Sequence, residues 1–192
     1  TILITSTLVM GLLGCADAMI EVLIGAKWLP AGDYLRILGL SGIFIPLLLG
    51  SVNVFNANGK SEITLKLEII KTLLAVIPVT LGIIYNIEML LWGIVGITVA
   101  SYLIHAGYVS REIPYTVWMQ VKDIMPYLVI SGIMGLAVNY IGSLLEAPAL
   151  VVLVVQVATG FAITVFSYEL VYRSEEYRDV RNEALKMLHI KK

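Results

Sequence analysis

Long apolar runs alternate with short polar breaks along this chain, and six of the runs approach the ~20 residues that a helix needs to cross the hydrocarbon core of a bilayer. The first extends from Thr1 to Ile24 and stops at Gly25-Ala26-Lys27-Trp28-Leu29-Pro30, and the second extends from Asp33 to Ala57 and stops at Asn58-Gly59-Lys60. The third covers Ile63 to Tyr85, the fourth Met89 to Val109, the fifth Pro126 to Gly142 and the sixth Pro148 to Tyr172. Strands of a membrane barrel would be about ten residues long and would alternate in polarity; these runs do neither. The pattern predicts an all-α fold, a polytopic transmembrane helix bundle of six spans. Pro126 and Pro148 sit where proline is tolerated, in a first helical turn. Pro46 and Pro78 fall mid-span, where each removes a backbone hydrogen bond and is expected to kink its helix.

Two further stretches are amphipathic. Over 111–123, Ile113, Val117, Trp118 and Val121 recur at helical spacing against Arg111, Glu112, Gln120, Lys122 and Asp123. This predicts an interfacial helix with Trp118 at headgroup level. In the tail, Tyr177, Val180, Ala184, Met187 and Leu188 form a similar stripe among mixed charges, read as a solvated or loosely surface-bound segment. The expected organisation is four helices over 1–110, the interfacial helix over 111–123, a helix pair over 124–172 and a tail over 173–192.

Composition strengthens the membrane reading. Apolar residues make up 59% of the chain, charged residues 14%, and the mean hydropathy is +0.91; soluble domains run nearer about 45–50% apolar and 25% charged. A net charge of −1 gives no electrostatic reason to expect nucleic acid. One cysteine excludes an intramolecular disulfide framework. Leu12-Leu13-Gly14-Cys15 superficially matches a lipoprotein processing site, but no Lys or Arg precedes it and the apolar run continues past it. Cys15 is read as a small packed residue. Thr1 already lies within an apolar run, so the chain is expected to be the C-terminal part of a longer protein.

The cations set an orientation. Lys27 and Arg36 lie at the first connection, the connections after spans three and five carry none, and the remaining Lys and Arg residues fall on the opposite side. The positive-inside rule then places the second and fourth connections and the C-terminus in the cytoplasm of a bacterial inner-membrane protein.

No catalytic constellation is present. His105 and His189 are far apart, with no Ser, Cys or carboxylate at triad or metal-ligand spacing, so neither an enzymatic role nor a metal or cofactor is expected. Gly11/Gly14, Gly39/Gly42, Gly93/Gly96 and Gly132/Gly135 most simply permit close helix packing. The candidates are polar groups within spans, which are expensive to bury in lipid. Asp17 would cost about 2.5–3.5 kcal/mol if it faced lipid, so it either lines a cavity or makes a structural hydrogen bond. Glu21 is read as an interface anchor. Asn53 and Asn56 either hydrogen-bond between helices or touch substrate. Lys66, Glu68 and Lys71 load one end of span three; the lysines can snorkel, Glu68 and Lys71 can pair, and the cluster can meet an anionic headgroup or diphosphate. His105 is either a packed neutral imidazole or a proton relay. Asn139 and Gln156 are expected to cross-link spans five and six.

From Leu23 to Lys71 the chain resembles a known family. Leu23-Ile24-Gly25-Ala26-Lys27-Trp28-Leu29-Pro30-Ala31, then Tyr34-Leu35-Arg36-Ile37-Leu38, Pro46 and Asn53, then Ala57-Asn58-Gly59-Lys60-Ser61-Glu62 and Leu65-Lys66-Leu67-Glu68-Ile69-Ile70-Lys71 are similar to stretches of the Wzx-type lipopolysaccharide and exopolysaccharide flippases of the multidrug/oligosaccharidyl-lipid/polysaccharide superfamily. Lys122-Asp123-Ile124-Met125-Pro126 and Met134-Gly135 resemble the family's approach to its last helix pair. Prolines that family members often carry in span one are absent, so that helix's bend is not carried over. The resemblance implies a transporter of two six-helix lobes plus an extra pair, with this chain holding the last four helices of the second lobe and that pair. It implies carriage of an undecaprenyl-diphosphate-linked oligosaccharide between leaflets by alternating access, with membrane lipids, a polysaccharide polymerase and chain-length proteins as partners. From the matched stretches Asn53, Lys66, Glu68 and Lys71 are the substrate or cavity candidates, with Asp17 added on burial grounds. The rival readings are a drug/cation antiporter of the same superfamily and a membrane assembly subunit that transports nothing.

Overall fold

In the computed structural model, residues 2–170 are described, with side chains through residue 166. The described residues are almost all helical, with no strand among them: α1 (Ile2–Gly14), α2 (Ala16–Ile24), a 3-10 turn (Ala26–Trp28), α3 (Ala31–Gly42), α4 (Ile45–Ala57), α5 (Ser61–Leu74), α6 (Val76–Ile84), α7 (Ile87–Glu112), α8 (Val117–Leu144) and α9 (Ala149–Leu170). Five stretches are each long and apolar enough to cross a membrane, namely α3–α4, α5–α6, α7, α8 and α9; α1 and α2 together make a sixth if the bent pair is one span. The architecture is therefore an all-α, membrane-embedded, multi-pass bundle. The expected end of the sixth span at Tyr172 and the tail stripe from Tyr177 to Leu188 lie outside the described residues.

Local chemistry explains most boundaries. Gly59 has φ +70°, and the Lys60 N–H reaches back to the Phe55 carbonyl at 2.8 Å, closing α4 with a left-handed cap that only glycine adopts cheaply. Asn86 and Thr116 start α7 and α8 by accepting the backbone N–H of Met89 and Met119. The second span breaks at Ile43–Phe44, just before Pro46, because the proline has no N–H for the Gly42 carbonyl. The third breaks at Ala75 for the same reason, three residues ahead of Pro78. The Pro78 ring is buried against Gly93 of α7, where an added Cβ would collide with it.

The structure departs from the expected elements in three places. The stretch 111–123 is not a single helix: Pro114 forces Ile113 into an extended conformation (φ −136°), ending α7 at Glu112, and Thr116 then caps α8. Pro126 is not in a first turn but lies inside α8, whose ladder runs through it with the Lys122 carbonyl lacking its usual donor. Finally, α1 and α2 meet at 69° at Cys15, although no proline is there.

The cause of that third bend is tertiary. Two side-chain amides converge on the Gly14 carbonyl: Gln156 Nε2 of α9 at 3.3 Å and Asn139 Nδ2 of α8 at 3.5 Å. Gln156 also donates to the Val138 carbonyl at 3.1 Å. A side chain inserted at a helix carbonyl is a recognised cause of kinking. Asn139 and Gln156 thus tie spans five and six to span one, rather than only to each other as expected. Here α1 and α8 run side by side in the same direction with their backbones nearly touching. A Cβ on Gly14 would lie 2.6 Å from the Gly135 carbonyl oxygen, and one on Gly135 would lie 2.7 Å from that of Met10. Of the glycine pairs proposed for packing, one member of each can be small for no local reason: Gly96 and Gly132 face open space, and Gly11 and Gly42 make ordinary contacts.

Candidate functional site

The bundle has two ends. One carries the α2–α3, α6–α7 and α8–α9 connections and is here named for Lys27; the other carries the α4–α5 and α7–α8 connections and is named for Lys60.

At the Lys27 end, Asp17 of α2 meets Arg36 of α3 with 2.5 Å between Oδ2 and Nη2, and Arg36 also holds Asp33 at 3.0 Å. The contact exists because Gly32 leaves room: a Cβ there would lie 2.6 Å from Asp17 Oδ1. Of the two readings open for Asp17, its geometry matches the structural one, an ion pair bracing α2 against α3. Arg36 also lines a cavity of about 380 Å³ with Trp92 and Asn139.

The other four candidates lie on α4 and α5. Glu68 and Lys71 pair at 3.0 Å, both substantially exposed. Asn53 and Lys66 are exposed, and no described hydrogen bond or ion pair joins either to another candidate. The helical period explains why Lys66 and Glu68 do not converge. At about 100° per residue they are separated by about 200°, on either side of Leu67, which is packed against Phe55 and Val109. The fold therefore does not gather the five candidates into one pocket: Glu68 and Lys71 pair with each other, Asp17 pairs with Arg36, and Asn53 and Lys66 stand apart. His105 is buried, its Nδ1–H donating to the Ser101 carbonyl at 2.8 Å and its ring tilted against Phe55.

Two concave features stand out. An apolar groove of about 470 Å³ runs between α1 and α9 over α8, lined by Leu8, Leu12, Met19, Met134, Val157 and Phe161. A second cavity, about 600 Å³, opens among the start of α1, α4, α7 and α8 near the Lys60 end. Tyr102, Tyr115, Gln120 and Asp123 give it a polar lining. The Tyr115 hydroxyl donates to Asp123 at 2.6 Å, and buried Gln120 donates to the Tyr115 carbonyl at 3.1 Å. Nearby, Lys60 Nζ sits 2.8 Å from the Glu112 carboxylate, clamping the α4–α5 corner onto the end of α7.

Sequence reasoning put Gln120 and Asp123 on the polar side of an interfacial helix; Asp123 is exposed, but Gln120 is buried, and neither Tyr102, Tyr115, the partner role of Arg36 nor the Lys60–Glu112 pairing was picked out. A signal was present: Gln120, Ile124, Tyr127 and Ser131 recur every three to four residues and form the buried face of α8, while Trp118 is 76% exposed. Comparison with known proteins finds no matching family model, no matching curated protein and no matching solved structure.

Proposed function

We propose that the chain forms part of a bacterial inner-membrane transporter that carries an undecaprenyl-diphosphate-linked oligosaccharide across the bilayer by alternating access, for polysaccharide or O-antigen export. The motif resemblance over residues 23–71 suggests the substrate. The observation that carries the transport reading is the construction of the spans: three are interrupted within their apolar length, at Cys15, at Ile43–Phe44 and at Ala75. Discontinuous helices are characteristic of carriers, in which segments of a span tilt separately around a central site. A purely structural subunit has no need of three such joints. On this reading the Lys60 end and the C-terminus face the cytoplasm, and the apolar groove between α1 and α9 receives the polyprenyl tail, whose hydrocarbon needs no polar partner. Among the described residues Lys66 is the unpaired cation of α5, here offered to the diphosphate, and the Glu68–Lys71 pair opens to add a second.

Two experiments test the reading. In a Cys15→Ala background, cysteine placed at residue 28 should label from outside the cell and cysteine at residue 60 only after permeabilisation; the reverse pattern rejects the orientation. Changing Lys66 and Lys71 together to alanine should reduce polysaccharide export several-fold at unchanged protein level. Unaltered export removes these lysines from the mechanism, and export of an organic cation in place of saccharide would point to the antiporter.

A further inference from the structure

The cavity between α4, α7 and α8 carries chemistry that the transport reading leaves unused. Three tyrosines, Tyr102, Tyr115 and Tyr127, and the carboxylate of Asp123 line it, and among the described residues no Lys, Arg or His does. Aromatic rings gathered with one carboxylate are a set of groups that can recognise an ammonium ion. The ring quadrupole attracts a cation within about 6 Å of the ring centroid and does so most strongly where water is kept away, while the carboxylate supplies the counter-charge. An anion would find no positive partner among the described residues of these walls.

The groups are held in place before any ligand arrives. Asp123 is fixed by the 2.6 Å hydrogen bond from Tyr115, and the Tyr102 ring packs against Phe44 with 5.7 Å between centroids. Tyr102 is only 5% exposed, yet its hydroxyl has no hydrogen-bond partner. A buried hydroxyl is costly to leave unpaired, and those that persist in a fold call for an explanation. The oxygen has essentially no accessible surface at rest, so a ligand atom in the cavity reaches it only when the wall shifts.

We infer that this cavity binds an ammonium group. Its volume of about 600 Å³ greatly exceeds that of a bare ammonium, and Leu47, Val54 and Ile124 offer apolar wall to the carbon chain attached to it. Two sources carry that chemistry, the headgroup of an aminophospholipid and a free alkylamine. The inference stands on the cavity alone and does not depend on what the protein transports.

The test uses the full chain in nanodiscs of phosphatidylglycerol and phosphatidylethanolamine in equal amounts, with the lipids retained on release counted by native mass spectrometry. In parallel, ethanolamine is titrated into detergent-solubilised protein by calorimetry. Preferential retention of phosphatidylethanolamine by the unaltered protein, falling about tenfold in Asp123→Asn and about threefold in Tyr102→Phe, establishes the site with a lipid as its ligand. Ethanolamine binding with the same dependence on Asp123 and Tyr102 establishes it with a soluble amine. Equal retention of the two lipids together with no heat from ethanolamine overturns it, as does a preference unchanged in Asp123→Asn. The choice between lipids is made by the unaltered protein, so it decides the matter even if Asp123→Asn fails to fold. Tyr102→Phe removes a hydroxyl with no partner and should leave Tm unchanged.

Discussion

The seam between α1, α8 and α9 and the outer face of α5–α6 are both built from apolar helices, yet they are packed by different rules. At the seam, backbones touch at Gly14 and Gly135, and Asn139 and Gln156 hand their amide protons to a main-chain carbonyl. On α5–α6, by contrast, Leu65, Ile69, Leu73, Val76, Ile77 and Ile83 are all exposed. In water such a face would be a liability. In a bilayer it costs nothing, because hydrocarbon tails are as apolar as leucine, and helix association must come from close contact and hydrogen bonds instead. The difference teaches where specificity resides: small and amide-bearing residues define this bundle, and the large apolar ones define its depth in the membrane.

Substitutions sharpen or break that contrast, and the largest effect belongs to the seam. Gly14→Leu drives a side chain into the Gly135 carbonyl and should destabilise the bundle by about 3 kcal/mol, read as loss of the cooperative transition in detergent; Gly132→Ala, which meets no atom within 4 Å, should be silent. Equal tolerance at the two positions would break the comparison. Next comes Gln156→Leu, which keeps the volume but removes both donated bonds and should cost about 1 kcal/mol in the same measurement. The Asp17–Arg36 pair is smaller. With both side chains partly exposed, a double-mutant cycle of Asp17→Asn and Arg36→Gln should give a coupling below about 1 kcal/mol after solvent screening, and a much larger value would mark the Lys27 end as a second packing centre. The least effect is expected on the outer face: Ile83→Ala, at a residue 81% exposed, should change Tm by no more than the equivalent of about 0.5 kcal/mol.

How much of this was legible depends on whether the cause was local. Span lengths, the cap at Gly59 and the breaks before Pro46 and Pro78 follow from residues within a few positions of the event, and reading them forward works. The end of α7 at Ile113-Pro114 was equally local and was hidden by an amphipathic pattern that ran across it. That pattern also misled on direction. Beside lipid the apolar side of a helix turns outward and the polar side inward, so Trp118 faces out and Gln120 faces in, opposite to a soluble helix. The bend at Cys15 has no local cause at all, since its amides arrive from α8 and α9. For the candidate residues, sequence identified polar groups within spans correctly as uncommon, but spacing on one helix says nothing about Arg36 waiting for Asp17 on the next. The two-residue offset of Lys66 and Glu68 did carry that information, because it places them on opposite flanks of Leu67.

The amides at Gly14 also constrain the order of events during synthesis. The donor on Gln156 is 142 residues downstream of the carbonyl it serves. At a translation rate of about 5–20 residues per second, that interval is about 7–30 s. For that time α1 is in or near the membrane without the contact that bends it, and Gly14 has no α8 to rest against. The nascent α1–α2 span therefore has reason to enter as a straight helix and to acquire its angle only when the α8–α9 hairpin arrives, which makes that hairpin the step that completes the fold of α1 and α2.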